Sequence, residues 1–118
     1  MVEYTAPEHD ALSLVFRALA DPTRRGILRF LAEHGPSPVG AIAAPFGVSL
    51  QAVSKHIRVL EVAGLISRQV RGREHRCELR GTPLAGASAW VEEYRRFWER
   101  SFDALARALE EPDVDGGA

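Results

Sequence analysis

Residues 49–58 combine hydrogen-bonding and basic side chains with a helical apolar repeat. Val53, Ile57 and Leu60 recur at i, i+4 and i+7, which predicts one inward face and leaves polar side chains on the other. Those side chains could bond base edges or phosphate oxygens, because glutamine pairs with adenine, and lysine or arginine pairs with guanine or phosphate. The candidate contact residues of this segment are Ser49, Gln51, Ser54, Lys55, His56 and Arg58.

A second basic cluster follows where the apolar period changes to two. Residues 65–70 and 75–80 alternate apolar and polar side chains, and residues 71–74 between them are typical of a turn. A hairpin with arginines at its tip could straddle a phosphate backbone or enter a minor groove. Charged strand edges also resist aggregation, so a solvated edge is the alternative. The candidate contact residues here are Arg68, Arg71, Arg73 and Arg76.

Charge is unevenly distributed along the chain. The 118 residues carry a net charge of −1. Residues 49–80 contain seven basic and three acidic side chains, a balance of +4, and the remainder contains eight basic and thirteen acidic ones, a balance of −5. A basic segment on an acidic body attracts phosphate where it docks and repels it elsewhere. Double-stranded DNA is therefore the predicted partner.

Further predicted helices must position these contact segments. Asp21 can cap a helix with Pro22 in its first turn, and that helix ends near residue 34. A short helix over about residues 38–46 is then separated by residues 47–49 from the contact helix over about residues 50–63. Two short helices joined in this way are typical of a helix-turn-helix, whose second helix enters the major groove.

The first and last predicted helices carry apolar stripes. The last helix, from about Thr82 to Glu110, holds most of the aromatic side chains. Its stripe is too wide for a four-helix body to cover, which favours a dimer interface shared with the first helix. A small-molecule pocket is the alternative. The predicted interface comprises Leu12, Val15, Phe16, Trp90, Tyr94, Phe97, Trp98, Phe102 and Leu105.

Length and composition indicate one domain over residues 9–110, with a flexible N-terminal arm at residues 1–8 and a flexible tail at residues 111–118. Cys77 stands alone, which excludes a disulfide within the chain and fits a reducing cytoplasm. The N-terminus lacks the pattern of a signal peptide, and no apolar run approaches the ~20 residues that cross a membrane. We therefore expect a cytoplasmic protein without membrane partners.

Metal and catalytic chemistry have little support in the sequence. His75 and Cys77 would share a face of a strand, but zinc needs more than two ligands, so we expect neither metal nor cofactor. A redox thiol at Cys77 lacks a resolving cysteine within the chain. A cysteine–histidine nucleophile pair lacks an oxyanion-hole element and a substrate cleft. The sequence does not predict an enzyme.

Three stretches carry a family resemblance: residues 19–25 (LADPTRR), residues 53–66 (VSKHIRVLEVAGLI) and residues 71–73 (RGR). They are similar to the ArsR/SmtB family of winged-helix repressors, over about residues 9–110. The resemblance implies a mainly α fold with a small β-hairpin, a winged helix-turn-helix with N- and C-terminal dimerisation helices, and promoter binding. Residues 39–44 lack the cysteine pair of the metal-sensing members, and the last helix lacks histidine. The resemblance is therefore to members that sense no metal.

The predicted function is a DNA-binding transcriptional regulator, namely a homodimeric repressor of an inverted-repeat operator. Residues 49–63 would form its recognition helix and residues 66–80 its wing. An unknown small molecule or protein would serve as inducer. Two alternatives stay open: a winged-helix module that binds another protein through the last, aromatic helix, and a metal- or redox-responsive sensor.

Overall fold

The computed structural model describes residues 10–110, which form five α-helices and a three-stranded antiparallel sheet. The predicted arm at residues 1–8 and the predicted tail at residues 111–118 lie outside the described residues. The helices are α1 (Ala11–Leu19), α2 (Pro22–His34), α3 (Val39–Ala43), α4 (Leu50–Val62) and α5 (Thr82–Glu110), and the strands are β1 (Ser37–Pro38), β2 (Ile66–Arg71) and β3 (Glu74–Leu79). The predicted mainly helical fold with a small hairpin is confirmed.

Contacts divide the described part of the chain into two compact units, residues 10–87 and residues 88–110. The first unit contains α1 to α4, the sheet and the start of α5. The second unit is the remainder of α5.

Side-chain caps fix where three of the helices begin. The carboxylate of Asp21 accepts a hydrogen bond from the Arg24 amide at 3.1 Å, and Pro22 follows it in the first turn of α2. The Ser49 hydroxyl accepts one from the Ala52 amide at 3.1 Å and starts α4. The Asp21 cap matches the prediction, and Asp10 caps α1 in the same way. Each cap satisfies an amide that the helix itself leaves without an acceptor.

The core of the first unit holds α4, hereafter the reading helix, by one complete face. Val53, Ile57 and Leu60 are 0% exposed and pack with buried side chains of α2 and α3, including Ile27 and Ile42. Burying side chains of this size contributes about 1.5–3 kcal/mol each. The opposite face of the reading helix is consequently fixed in direction, which is what a recognition surface needs.

The sheet has the order β1-β3-β2, so the predicted hairpin gains a third strand. Ser37 pairs with Cys77 and Pro38 with Arg76 along the free edge of β3. A two-residue strand has no repeat from which it could be predicted, and a proline is tolerated there because an edge strand need not donate. The third strand supports only the middle of β3, since β1 stops at Pro38.

The hairpin, hereafter the wing, turns through a loop of two residues, Gly72 and Arg73, rather than the four that the sequence suggested. The last ladder pair is Arg71 with Glu74. Gly72 has a φ of 63°, and no residue other than glycine has a positive φ in the described part of the chain. A positive φ at the first loop position alone is the pattern of a type II′ turn, which glycine accommodates without strain.

Apolar side chains of α5 in the second unit are exposed. Their exposed fractions range from 42% at Trp90 to 77% at Leu109. Beside these side chains on α5, Arg95 forms ion pairs with Glu92 and Glu99, and the Arg95 hydrogen bond lowers the pKa of the Glu92 carboxyl. The exposed apolar side chains of α5, hereafter the aromatic stripe, are Trp90, Val91, Tyr94, Phe97, Trp98, Phe102, Leu105 and Leu109.

Candidate nucleic-acid interface

The outward side of the reading helix carries a row of exposed polar side chains. Gln51, Lys55 and Arg58 are all exposed and follow the helical period at i, i+4 and i+7. Throughout residues 10–110, no hydrogen-bond or ion-pair partner is found for these three side chains. Ser54 is half-buried at the edge of the row. Four of the sequence-predicted contact residues therefore lie on or beside one surface.

Ser49 lies at the N-terminal end of this row and has a structural task as well. Its hydroxyl oxygen accepts the capping hydrogen bond from the Ala52 amide, while the side chain itself is exposed. The hydroxyl hydrogen is still available to an external acceptor, since the cap uses only a lone pair. Ser49 can therefore serve the helix and a phosphate at once.

His56, another predicted contact residue, points towards the junction of α1 and α2. Its Nδ1 lies 3.3 Å from Nη1 of Arg24 and 3.9 Å from a carboxylate oxygen of Asp21. Arg24 also donates from Nε to the Ala18 carbonyl at 2.7 Å and from Nη2 to the Arg17 carbonyl at 2.9 Å. His56 thus connects the reading helix to the end of α1 rather than extending the exposed row.

Asp21 is held in its charged form at this junction. The hydrogen bond from the Arg24 amide lowers the pKa of the Asp21 carboxyl, and the nearby His56 and Arg24 side chains act in the same direction. Arg24 is a residue of this site that the sequence did not predict. Its contact with His56 spans 32 positions of the chain, so no local pattern could reveal it.

The tip of the wing presents two arginines that are fully available. Arg71, at the end of β2, and Arg73, in the loop, are exposed, and neither has a side-chain partner among the described residues. Arg76 is exposed too, but it donates to the Glu74 carboxylate at 3.3 Å and to the Pro36 carbonyl at 3.1 Å. Arg71 and Arg73 can therefore bind an anion without breaking a side-chain hydrogen bond to another described residue, whereas Arg76 cannot.

Arg68, at the base of the wing, has a guanidinium that is already paired. Its Nη2 donates to Oε1 of Glu61 at 2.8 Å, and its Nη1 lies 3.2 Å from Nδ1 of His75. The Arg68 and Glu61 side chains are 20% and 18% exposed. Burial raises the pKa of the Cys77 thiol, and the neighbouring Arg68 charge opposes that shift. Because Arg68 is paired with Glu61, the Glu61 carboxylate balances the Arg68 charge in the absence of any ligand.

A groove of about 380 Å³ separates the wing from the start of the reading helix. Leu50 and Ser54 line one wall, and Arg73 and His75 line the other. Leu50 is 55% exposed although it is apolar. The groove brings hydrogen-bonding, cationic and apolar side chains together, which are the three kinds of contact that distinguish bases and hold phosphates.

Three further observations within residues 10–110 concern metal binding, thiol chemistry and membrane insertion. No group of three or more histidine, cysteine, aspartate or glutamate side chains in that range could hold a metal ion. Cys77, the candidate thiol, is 0% exposed. None of the helices in the same range has the length and apolar character needed to span a bilayer.

Comparison with known proteins places this surface in a wider context. The family described as "Helix-turn-helix domain" matches residues 19–69, from the end of α1 into β2. The HTH-type transcriptional regulator Rv2034 of Mycobacterium tuberculosis is 35% identical over 115 residues, which cover 98% of this chain and 99% of that protein. That match includes the wing and α5 as well as the helices.

Solved structures agree in fold. The crystal structure of an ArsR family transcriptional regulator, RHA00566, is 39% identical, covers 76% of this chain and 98% of its own, and superposes with a TM-score of 0.71. A homodimeric winged helix-turn-helix DNA-binding domain from Mycobacterium bovis, described as a possible ArsR-family regulator, is 27% identical. The match covers 81% of this chain and 91% of that one, with a TM-score of 0.59.

Proposed function

This chain belongs to the ArsR family of winged helix-turn-helix transcriptional regulators, and from that premise we propose that it binds double-stranded DNA as a homodimer and represses transcription. The operator would be an inverted repeat. The observation that carries the proposal is the row of polar side chains on the reading helix that have no partner within residues 10–110, while the opposite face of the helix is buried in the core.

Each exposed side chain suits a particular contact. Gln51 can bond adenine through two hydrogen bonds, and Lys55 and Arg58 can reach guanine or phosphate. Ser49 and Ser54 can bond phosphate oxygens. A major groove about 12 Å wide admits the reading helix. The DNA-binding surface we propose for the reading helix therefore omits His56, which is engaged with Arg24.

The wing supplies the sequence-independent part of the contact. Arg71 and Arg73 would neutralise phosphates or enter the minor groove beside the reading helix. Arg76 is a weaker candidate because both of its terminal nitrogens already donate. Arg68 is omitted, since its charge is balanced by Glu61.

A second copy of the chain is the partner we propose for the aromatic stripe. Exposed apolar area of this extent marks an interaction surface, and the homodimeric relative from Mycobacterium bovis supports pairing between copies. Leu12 and Phe16 of α1 are half-buried and would contribute as well. Val15 would not, because it is 3% exposed and packs in the core of its own chain. Two reading helices about 34 Å apart would then meet the two half-sites.

The regulator we propose is cytoplasmic, has no catalytic activity and takes no metal or cofactor. Its inducer would be a small molecule or a protein whose chemistry is open. The single cysteine supports a reducing compartment.

Selection of genomic fragments by the purified full chain, followed by footprinting and fluorescence anisotropy, tests DNA binding. Arg58→Ala should weaken operator binding by about 1–3 kcal/mol if the side chain reads a base. Arg29→Ala, which removes an exposed arginine of α2, is the matched control. Failure of the wild-type chain to retain any fragment in dilute buffer would overturn the proposal.

Sedimentation equilibrium tests the homodimer. Phe102→Glu places a charge in the aromatic stripe and should yield a monomer, whereas Arg100→Glu, an exposed charge change on the same helix, should leave the dimer intact. A wild-type monomer that associates only with a different protein would favour the protein-interaction module. A dimer that survives Phe102→Glu would exclude the stripe as the interface.

A further inference from the structure

The outer half of the wing, towards its loop, extends beyond the buried core. Its inner face is formed by Ile66, Arg68 and Val70 of β2 with their ladder partners on β3. Ile66 is 4% exposed, but Val70 is 58% exposed and has left the core. A two-stranded ribbon is only marginally stable by itself. The outer half of the wing is therefore held by contacts near the middle of its ladder, at Arg68 and at Arg76, which donates to the Pro36 carbonyl.

Arg68 is the side chain at that boundary. It pairs in the ladder with Cys77, the last buried residue of β3 before the tip, and its guanidinium bonds Glu61 in the last turns of the reading helix. The second terminal nitrogen lies within hydrogen-bond distance of His75 on β3. This set of three side chains, hereafter the clasp (Glu61, Arg68 and His75), joins both wing strands to the reading helix.

The clasp is better suited to fixing geometry than to adding stability. An ion pair that is four-fifths buried loses much of its attraction to desolvation, so its net contribution to folding is small. Among the described residues, Arg68 Nε is the one buried side-chain nitrogen or oxygen without a partner, which adds a further cost. A planar guanidinium that bonds Glu61 on the reading helix and lies against His75 within the wing nevertheless restricts the orientation of the wing.

We propose that Arg68 is a positioning residue for operator binding: the clasp sets the angle between wing and reading helix so that Arg71 and Arg73 meet phosphates without further ordering. This inference rests on the proposed function. It assigns no DNA contact to Arg68, in contrast to the sequence-based prediction. The two assignments predict opposite changes in DNA affinity when Glu61 is replaced by a neutral residue.

Glu61→Gln provides the test. If Arg68 bound phosphate, removing Glu61 would release the guanidinium, strengthen binding and steepen the salt dependence. If the clasp positions the wing, the same change leaves the wing less ordered and weakens binding. We expect a loss on the order of tenfold in affinity, equivalent to ~1.4 kcal/mol. The slope of log K against log salt should not change, because the phosphate contacts are the same.

Glu78→Gln is the matched control, since it removes the same charge from β3 outside the clasp. Affinities of both variants for the selected operator are measured by anisotropy between 50 and 300 mM KCl, roughly the range over which phosphate contacts register. Backbone ¹⁵N relaxation of the DNA-free protein supplies a second readout. Wing amides near Gly72 should gain motion in Glu61→Gln and not in Glu78→Gln, and the double variant Glu61→Gln/Arg68→Gln should bind no more weakly than Arg68→Gln alone.

The outcomes separate this inference from the proposed function. Tighter binding of Glu61→Gln than of Glu78→Gln, with a steeper salt slope, would make Arg68 a DNA contact and overturn the inference alone. Equal affinities and equal wing motion in the two variants would also overturn it. A wild-type chain that binds no DNA would overturn both. The thermal midpoint of each variant shows whether a lost affinity reflects unfolding.

Discussion

The tip and the base of the wing carry the same residue type in opposite circumstances. At the tip, Arg71 and Arg73 are exposed and have no side-chain partner within the described range. At the base, Arg68 is 20% exposed and bonds Glu61 at 2.8 Å. Three arginines within six positions therefore divide into two available cations and one that is already neutralised. The residue type predicts the charge, but only the neighbours determine whether a ligand can use it.

The reading helix repeats this division over a shorter distance. Lys55 and Arg58 point outward and have no side-chain partner among the residues that the structure describes, whereas His56 between them contacts Arg24 at the junction of α1 and α2. Its inward neighbour Ile57 is 0% exposed. One helical turn thus contains side chains suited to recognition, positioning and packing. Adjacent residues on a helix point about 100° apart, which is why their surroundings differ so sharply.

The contrast between tip and base would be wrong if Arg71 and Arg73 could be removed without weakening DNA binding. Replacing both Arg71 and Arg73 by alanine should flatten the slope of log K against log salt by about 1.8 and weaken binding about 30-fold at ~0.15 M salt, since each phosphate contact contributes ~0.9 to the slope. Titrations at several salt concentrations measure both effects. Arg29→Ala combined with Arg100→Ala removes the same charge elsewhere and should leave the slope unchanged.

The geometry of the tip should matter less than its charge. Gly72 has a φ of 63°, and an added Cβ would meet nothing within 4 Å, so Gly72→Ala acts through backbone strain alone. We expect a loss of roughly 1–2 kcal/mol in the free energy of unfolding, measured by urea denaturation. Gly72→Asn should recover part of the loss. Gly86→Ala, in the helical backbone of α5, should instead raise the free energy of unfolding.

A carboxylate at the tip would convert an available cation into a paired one. Gln69 faces Arg76 across the ladder and shares the outer face with Arg71 two positions on. Gln69→Glu should weaken DNA binding by up to about fivefold, the contribution of one phosphate contact at ~0.15 M salt. Gln69→Lys should strengthen it by a smaller factor. Anisotropy measurements in which both variants weaken binding equally would point to loss of the glutamine amide instead.

The smallest effect is expected at the base, from Cys77. Burial raises the pKa of its thiol above the ordinary value. The unfolded chain therefore releases the thiol proton at lower pH than the folded chain, and the free energy of unfolding should fall as pH rises above about 8.5. Urea denaturation between pH 7 and 10, roughly spanning that value, should show a steeper alkaline decline for the wild type than for Cys77→Ala. Parallel declines would contradict the assignment.

Most of the fold could be predicted because its determinants are local. The cap at Asp21 and the apolar repeat through Val53, Ile57 and Leu60 set the limits and facing of α2 and α4, and both match the structure. The strand β1 was missed, since two residues carry no period. The loop of the wing came out shorter because Arg71 and Glu74 complete the ladder.

The candidate site was predictable only in part. Gln51, Lys55 and Arg58 follow from the helical period, since an inward face determines the outward one. Val15 shows the limit of that reasoning. Its stripe on α1 was correctly recognised as apolar, but the pattern does not say whether a side chain packs against its own chain or a second one, and Val15 packs against its own.

By itself, the sequence determined the order of helices and strands, the amphipathic faces and the location of the positive charge, because each depends on residues a few positions apart. Only the tertiary structure decided which of the charges have partners. Arg68 meets Glu61 across seven positions, His56 meets Arg24 across 32, and Arg76 reaches the Pro36 carbonyl across 40. Those contacts arise when packing brings separate elements together, and the chain order of their residues gives no sign of them.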